Sequence, residues 1–256
     1  MHAVITGGAQ GIGLACAQHL TSNGWSITLI DKDKGLLEQS SSDLGCEYAQ
    51  VDVTDLESVN KFFSSIDNLD ALVNNAGIWR PQKLEDLNFD DQKEVLEVNV
   101  LGTLFCTSSA IRHLRNSSTG SVVNISSLAA QTNSPGLGLY AASKSAIETL
   151  TKQWALEIAP IRVNAVAPGL IETAGTSENY RGDAREKRAK AVPLGRVGEP
   201  SDIAKVVLFL VSEAAAYVTG QIVYVDGGLG AGATQRYSEE GVICPCSYCH
   251  SSKEKS

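Results

Sequence analysis

The sequence predicts a single α/β domain built on a doubly wound parallel sheet of about seven strands with helices on both faces. Three observations predict it. Short β-branched runs alternate with longer segments whose apolar residues recur at three and four. A glycine-rich turn directly follows the first strand. The chain has 256 residues, of which 43% are hydrophobic, which is enough for one large core.

The elements follow one another as strand, helix, strand. The apolar, β-branched runs predict strands over residues 3–6, 26–30, 48–51, 71–73, 121–125, 162–166 and 222–225. Helical periodicity marks residues 12–20, 95–114, 141–158 and 203–210. Right-handed crossovers place helices on both faces of such a sheet, so we expect a Rossmann-type fold that binds ligands beyond the carboxyl ends of its strands.

Two segments interrupt this alternation. Residues 174–192 carry glycines and many charges and are expected to form a flap beside the site. Residues 230–256 are polar and without periodicity, which predicts a disordered tail after a catalytic domain over residues 1–229. The tail contains Cys244, Cys246, Cys249 and His250, a string used for haem attachment or zinc binding. Without structural context this match is weak, and we predict no metal site.

Composition excludes several classes of function. The net charge is −8 and no segment concentrates basic residues, so we expect no nucleic-acid partner. No apolar run approaches the roughly 20 residues that span a bilayer, and the amino terminus does not resemble a signal peptide, so we expect a cytoplasmic protein without a membrane partner. Cys16, Cys46 and Cys106 stand singly and are predicted to be reduced core residues.

The turn after the first strand is a candidate phosphate site. Residues 6–13 read Thr-Gly-Gly-Ala-Gln-Gly-Ile-Gly and open a helix, where backbone N–H groups and the helix dipole hold a pyrophosphate. The second strand is followed by Asp31, about twenty residues past the turn, where a carboxylate accepts ribose hydroxyls and repels a 2′-phosphate. This favours NAD over NADP. Asp31 as a helix cap is the alternative, and Lys32 and Lys34 would weaken the repulsion.

A tyrosine and a lysine form a candidate acid/base pair. Tyr140 and Lys144 lie one helical turn apart. An ammonium about 4 to 5 Å from a phenolate, at an effective dielectric of about 20, stabilises it by about 3 to 4 kcal/mol and would lower the phenol pKa. The alternative is a surface contact. Ser126 and Ser127 end a strand and can meet Tyr140 at the carboxyl edge of the sheet, although turn serines are common there.

Taken together, the motifs resemble the short-chain dehydrogenase/reductase family. They are the turn over residues 6–13, residues 74–77 (Asn-Asn-Ala-Gly), Asn99, Ser127, Tyr140 with Lys144, and Pro168-Gly169. They occur in family order and spacing as far as Gly228. The resemblance implies that Tyr140 is the general acid/base and that Lys144 lowers its pKa and holds the nicotinamide ribose. It also implies that Ser127 steadies the substrate oxygen and that Asn99 holds a water for proton relay.

The resemblance further implies where the cofactor lies. Asp52 and Val53 would contact adenine, Asn75 to Gly77 would line the adenosine ribose, and the segment after Pro168 would hold the carboxamide. The complete set of expected NAD contacts is Gly7, Gln10, Gly11, Ile12, Gly13, Asp31, Asp52, Val53, Asn75, Ala76, Gly77, Tyr140, Lys144, Pro168, Gly169, Ile171 and Thr173.

These features predict an oxidoreductase that moves hydride between NAD and a secondary alcohol or ketone. Two alternatives remain open: an NADPH-dependent 3-oxoacyl thioester reductase, and a non-catalytic NAD-binding sensor or scaffold. The expected partner is a small-molecule alcohol or ketone. The family resemblance implies a homotetramer or homodimer, and the substrate itself has no recognisable signature in the sequence.

Overall fold

The computed structural model describes residues 1–132, 134–231, 237–238 and 241–242. Its centre is a parallel sheet in the order β3-β2-β1-β4-β5-β6-β7. The strands are β1 (His2–Thr6), β2 (Ser26–Asp31), β3 (Glu47–Gln50), β4 (Ala71–Asn74), β5 (Ser121–Ile125), β6 (Arg162–Pro168) and β7 (Ile222–Val225). The predicted fold class is confirmed. The strand order reverses between β1 and β4, and open sheets bind ligands at that crevice.

Helices cover both faces of the sheet. They are α1 (Gly11–Ser22), α2 (Lys34–Leu44), α3 (Leu56–Ser65), α4 (Phe89–Leu96), α5 (Thr103–Asn116), α6 (Tyr140–Glu157), α7 (Asp183–Ala191) and α8 (Pro200–Val211). The helix predicted over residues 95–114 is instead α4, a π-helical segment (Glu97–Gly102) and α5. Six residues of π-helix redirect the chain where Asn99 turns inward, and such segments are common at functional sites.

The central strands β1, β2, β4, β5 and β6 are largely buried on both sides because alternate side chains point to opposite faces, whereas the edge strand β3 is mostly exposed and β7 is half-buried. In β1, Ala3 and Ile5 belong to the core beneath α1 and α8, where Leu20 and Ile203 are fully buried. Val4 belongs to the core on the other face, beneath α3, α5 and α6. The two cores fix the strand ends, and with them the residues that follow each strand.

The helical stretch Phe89–Asn116 has the length of a membrane span, and an 18-residue window within it has a mean hydropathy of 1.2 with 44% of the window buried in the fold. Cys106, Ala110 and Leu114 of this stretch are buried in the core. Packing against the sheet therefore accounts for part of its apolar character, while Leu96, Leu101 and Leu104 are exposed.

The predicted flap and tail differ in how much the structure describes. Residues 174–192 form a 3-10 helix (Ala174–Tyr180) followed by α7, so the flap is helical rather than irregular. In the tail the structure describes residues 230–231 and a short antiparallel pair, β8 (Tyr237–Ser238) and β9 (Gly241–Val242). Cys244, Cys246, Cys249 and His250 lie outside the described residues.

Candidate active site

The turn between β1 and α1 has the shape of an anion cradle. Gly7 and Gly11 adopt left-handed φ values of +60° and +58°, which favour glycine. Within residues 1–132, no side chain caps α1 at Gln10, so the first N–H groups of the helix remain available to a ligand. A side chain at Gly13 would clash with the carbonyl oxygen of Gly7. Gly13 therefore closes the turn from behind, and its predicted cofactor contact stays a prediction.

The end of β4 locks this turn in place. The Thr6 hydroxyl accepts hydrogen bonds from the backbone N–H groups of Asn75 (3.0 Å) and Ala76 (2.9 Å). The Asn75 amide donates to the carbonyl oxygens of Thr6 (3.1 Å) and Gly7 (2.8 Å). A Cβ on Gly7 would lie 2.8 Å from the Ala76 Cα. Asn75 and Ala76 do line the cleft, but the amide of Asn75 is engaged by the turn.

Carboxylates surround the far end of the cleft. Asp31 ends β2, and its side chain accepts from the backbone N–H groups of Ala9 (3.4 Å) and Asp33 (3.2 Å). Asp33, not Asp31, caps α2 by accepting from Leu36 N–H. Asp52 and Lys32 also line the cleft. Asp31 is thus held at the place predicted for a ribose acid, which the helix-cap alternative does not explain.

The other end of the cleft brings together a hydroxyl, a phenol and an ammonium. Ser127 follows β5, Tyr140 is the first residue of α6, and Lys144 lies one turn further on. The Lys144 Nζ donates to the carbonyl oxygen of Ile125 (2.8 Å) and lies 5.8 Å from the centre of the Tyr140 ring. All three functional side chains line the same cleft. The sheet therefore assembles residues that are separate in the sequence.

Burial governs the ionisation of this pair. Desolvation raises the pKa of Tyr140, and the Ser127 hydroxyl acts in the opposite direction. Desolvation lowers the pKa of Lys144 from its ordinary 10.5 to about 8. Desolvation is the larger influence on the phenol, and the expectation that Lys144 lowers the pKa of Tyr140 stays a prediction. A lysine with this pKa is only partly ionised in mildly alkaline solution, which weakens its field at the phenol.

The neighbouring serines have different surroundings. The Ser126 hydroxyl is buried and reaches a carboxylate oxygen of Glu148 (3.1 Å) and the carbonyl oxygen of Lys144 (3.3 Å). Tyr224 donates to the same oxygen of Glu148 (2.8 Å). Ser126 therefore joins β5 to α6 and β7. Ser127 accepts from Ala129 N–H (3.2 Å) and keeps its hydroxyl proton for another partner, which favours it as the substrate-facing serine.

Asn99 lies behind the cleft wall. Its side-chain oxygen accepts from Ile78 N–H (2.8 Å), and its amide donates to the Ile78 carbonyl oxygen (3.0 Å) and the Ser143 hydroxyl (3.0 Å). Asn99 is 1% exposed and does not line the cleft. A Cβ on Gly77 would lie 3.3 Å from both the Asn99 side-chain oxygen and the Lys144 Nζ. Asn99 thus fixes the backbone at Ile78, next to Gly77, and its predicted water-holding role stays a prediction.

The segment after β6 covers the phosphate turn. Gly169 donates to the carbonyl oxygen of Val225 (3.0 Å), and a Cβ there would lie 2.6 Å from that of Asp226. Ile171 pairs with Gly198. Thr173 lies over the turn, because a Cβ on Gly11 would come within 3.7 Å of the Thr173 Cβ. The predicted carboxamide segment therefore lies at the cleft wall.

The cleft has a volume of about 670 Å³, which is large enough for a dinucleotide together with a small substrate. It extends continuously from the glycine turn to Tyr140. Sixteen of the seventeen predicted cofactor contacts line it, all except Gly13. The cleft wall also contains residues that the sequence did not point to: Val51, Thr54, Glu94, Glu97, Val98 and Ile125. Glu97 and Val98 follow Glu94 by three and four residues, and this helical spacing is the signal that could have found these three.

Comparisons with known proteins agree with this geometry. A family model described as Enoyl-(Acyl carrier protein) reductase matches residues 7–230. The chain is 38% identical over 237 residues to 3-oxoacyl-(acyl-carrier-protein) reductase FabG of Chlamydia pneumoniae, covering 88% of this chain and 95% of that protein. It is 36% identical over 243 residues to 2-(S)-hydroxypropyl-CoM dehydrogenase 3 of Xanthobacter autotrophicus, covering 89% and 95%. A solved short chain dehydrogenase/reductase family protein superimposes with a TM-score of 0.85 at 38% identity, covering 91% and 98%.

Proposed function

Because the chain belongs to the short-chain dehydrogenase/reductase family, we propose that it moves hydride between NAD and a secondary alcohol or ketone, with Tyr140 as the general acid/base. That it is an oxidoreductase follows from the family. The observation that carries the proposal is that Ser127, Tyr140 and Lys144 line one cleft with the glycine turn. An acid/base group and a dinucleotide cradle in one cleft are what hydride transfer to a carbonyl requires.

A nicotinamide cofactor, when bound, supplies the hydride chemistry. The cradle fits its pyrophosphate, since Gly7 and Gly11 give the turn its left-handed backbone and the N-terminus of α1 is uncapped within residues 1–132. In oxidation Tyr140 removes the proton from the substrate hydroxyl, and in reduction it returns that proton to the carbonyl oxygen. Ser127 donates a hydrogen bond to the same oxygen. The Lys144 Nζ donates a hydrogen bond to the Ile125 carbonyl oxygen (2.8 Å). From this position Lys144 binds the nicotinamide ribose.

NAD is the proposed cofactor because Asp31 lies at the end of the cleft with its carboxylate oriented by two backbone N–H groups. A 2′-phosphate about 5 Å away, at an effective dielectric between about 20 and 80, would be repelled by about 1 to 3 kcal/mol. Lys32 lines the same end and reduces this figure.

The alternative is an NADPH-dependent 3-oxoacyl thioester reductase, which the name of the Chlamydia relative favours. Asp31 and the lack of a basic residue among Gly8, Ala9 and Gln10 argue against it. A non-catalytic NAD sensor would not need Tyr140 and Lys144 in the cleft. A homotetramer or homodimer and a cytoplasmic location remain predictions.

The acid/base role is tested by Tyr140→Phe, which keeps the ring and removes the hydroxyl. Turnover of a secondary-alcohol panel should fall by about a hundredfold or more, because general acid/base catalysis is worth that much. The dissociation constant for NAD, measured by calorimetry, should stay within about twofold because the phosphate and ribose contacts remain. The matched control is Tyr217→Phe, since Tyr217 is fully exposed. Near-normal turnover in Tyr140→Phe would refute the role.

The cofactor choice is tested by Asp31→Ala. Removal of the carboxylate should narrow the ratio of kcat/KM with NAD to that with NADP by about tenfold or more, since about 1.4 kcal/mol corresponds to a factor of ten. Asp67→Ala is the control, because Asp67 is exposed and remote from the cleft. An unchanged ratio, or a wild-type preference for NADP, would contradict the assignment of NAD.

A further inference from the structure

The position of Tyr140 depends on an irregular approach to α6. Tyr140 is the first residue of the helix, and within residues 134–231 no side chain of the helix caps it at Leu139. Gly136 and Gly138 before it have φ values of +80° and +57°. Glycines in this region leave the unfolded segment with many conformations. The segment therefore needs an outside contact if Tyr140 is to be held at a reacting distance.

Gln92 supplies that contact from α4. Its side-chain oxygen accepts from Leu139 N–H (2.7 Å). Its amide donates to the Arg80 carbonyl oxygen (3.1 Å) and to the Gln82 side-chain oxygen (3.2 Å). The side chain is 3% exposed. The buried Gln92 amide thus accepts a hydrogen bond from the segment before Tyr140 and donates one to Arg80 on the opposite wall of the cleft.

The approach to Leu139 is shaped around this amide. A Cβ on Gly138 would clash with the side-chain oxygen of Gln92, so this position needs glycine for space as well as for its positive φ. A β-bridge between Gln82 and Leu137 ties the same two segments together one step earlier. The backbone of residues 137–139 therefore packs closely against the Gln92 side chain.

The hydrogen bonds of Gln92 to Leu139, Arg80 and Gln82 form a clamp, and its Arg80 side borders the reacting atoms. Trp79 and Arg80 line the cleft, and the Trp79 ring centre lies 6.5 Å from that of Tyr140. Arg80 forms an ion pair with Glu94 (3.1 Å), and Gln82 donates to Asp91 (2.7 Å). These contacts fix residues 79–82 to α4. A shift of Gln92 would therefore move Trp79 and Tyr140 relative to each other.

We propose that Gln92 is a positioning residue for the proton transfer, holding the start of α6 and residues 79–82 in register so that the Tyr140 hydroxyl meets the substrate oxygen. The proposal rests on the proposed function of Tyr140. A misplacement of about 1 Å can cost about a hundredfold in rate, so one buried amide is sufficient to control turnover. Gln92 itself does not line the cleft.

Two variants separate positioning from packing. Gln92→Leu keeps the approximate volume and removes all three hydrogen bonds of the side chain. It should lower kcat by about ten- to a hundredfold with the KM for NAD within about twofold. Gln92→Glu keeps the acceptor for Leu139 N–H but donates to the Arg80 carbonyl only when protonated. Its kcat relative to wild type should be highest at low pH and fall as the introduced carboxyl ionises.

The pH comparison is internally controlled. The ratio of variant to wild type at each pH removes the pH dependence that the two proteins share. The charged groups that bond to the clamped segment are Arg80, Asp91 and Glu94. Gln153→Leu on the exposed face of α6 is the matched control and should leave kcat and the ratio unchanged.

Hydrogen exchange of residues 137–143 gives a readout that does not need activity. In Gln92→Leu the Leu139 amide should exchange faster, because its acceptor is lost. Faster exchange in Gln92→Leu with unchanged kcat would overturn the positioning role. A ratio of Gln92→Glu kcat to wild-type kcat that does not change with pH would also overturn it. Retained turnover in Tyr140→Phe would instead overturn the proposed function, while unchanged exchange in Gln92→Leu would show that the clamp itself is absent.

Discussion

Replacing Lys144 with methionine should make the protein less active but more stable. Lys144 is 5% exposed, and burial lowers its pKa from 10.5 to about 8. At about 1.36 kcal/mol per unit of pKa, burying the ammonium costs the fold about 3 kcal/mol at neutral pH. Methionine keeps the apolar stem but loses the hydrogen bond to the Ile125 carbonyl oxygen, worth about 1 kcal/mol. The free energy of unfolding of Lys144→Met should therefore exceed that of wild type by about 2 kcal/mol at pH 7.

The sign of the pH dependence follows from the lowered pKa of Lys144. Below a pH of about 8 both the folded and unfolded states bind the proton, so the cost is fully present. Between about 8 and 10.5 the folded state loses the proton first, and the cost declines as the pH rises. Near pH 10.5 it has largely gone, and only the lost hydrogen bond remains. The advantage of Lys144→Met should shrink over this interval and reverse to a deficit of about 1 kcal/mol.

The assay is urea unfolding of the cofactor-free protein, followed by far-UV circular dichroism at pH 7, 8.5 and 10. The control is Lys152→Met on the same helix, where the lysine is exposed, and its free energy of unfolding should stay within about 0.5 kcal/mol of wild type. Turnover of Lys144→Met should fall at every pH. A Lys144→Met variant that is less stable at pH 7, or a stability difference that does not change with pH, would refute the reasoning.

Two further outcomes follow from the described packing. Gly13→Ala should destabilise the fold by about 1 to 3 kcal/mol, because the new methyl group clashes with the Gly7 carbonyl oxygen. A thermal melt of the cofactor-free variant measures this loss, and an unchanged melting temperature would contradict the prediction. Native protein should resist thiol labelling at Cys16 and Cys106, because burial raises the pKa of each thiol to about 12. Cys46 is only partly buried and should react slowly, because burial raises its pKa too. Site-resolved mass spectrometry with a maleimide measures the labelling, and early labelling at Cys16 or Cys106 would contradict the prediction.

The sequence was sufficient where a local pattern has a single physical meaning. The strands predicted over residues 121–125 and 222–225 have those bounds in the structure, because short runs rich in β-branched residues favour an extended strand. Gly7 and Gly11 predicted the phosphate turn, and both have the positive φ that favours glycine. The motif spacing also identified the family, since six motifs in order leave few alternatives.

Long-range contacts decided the rest. A helical pattern over residues 95–114 does not show that six residues form a π-helix, because that depends on how Asn99 meets Ile78. Gln92 reads as a surface residue in sequence, and only the fold buries its amide between Arg80 and Leu139. The ionisation of Tyr140 and Lys144 was also beyond the sequence. Spacing along a helix gives their separation, but desolvation, which raises one pKa and lowers the other, is set by what the whole chain packs around them.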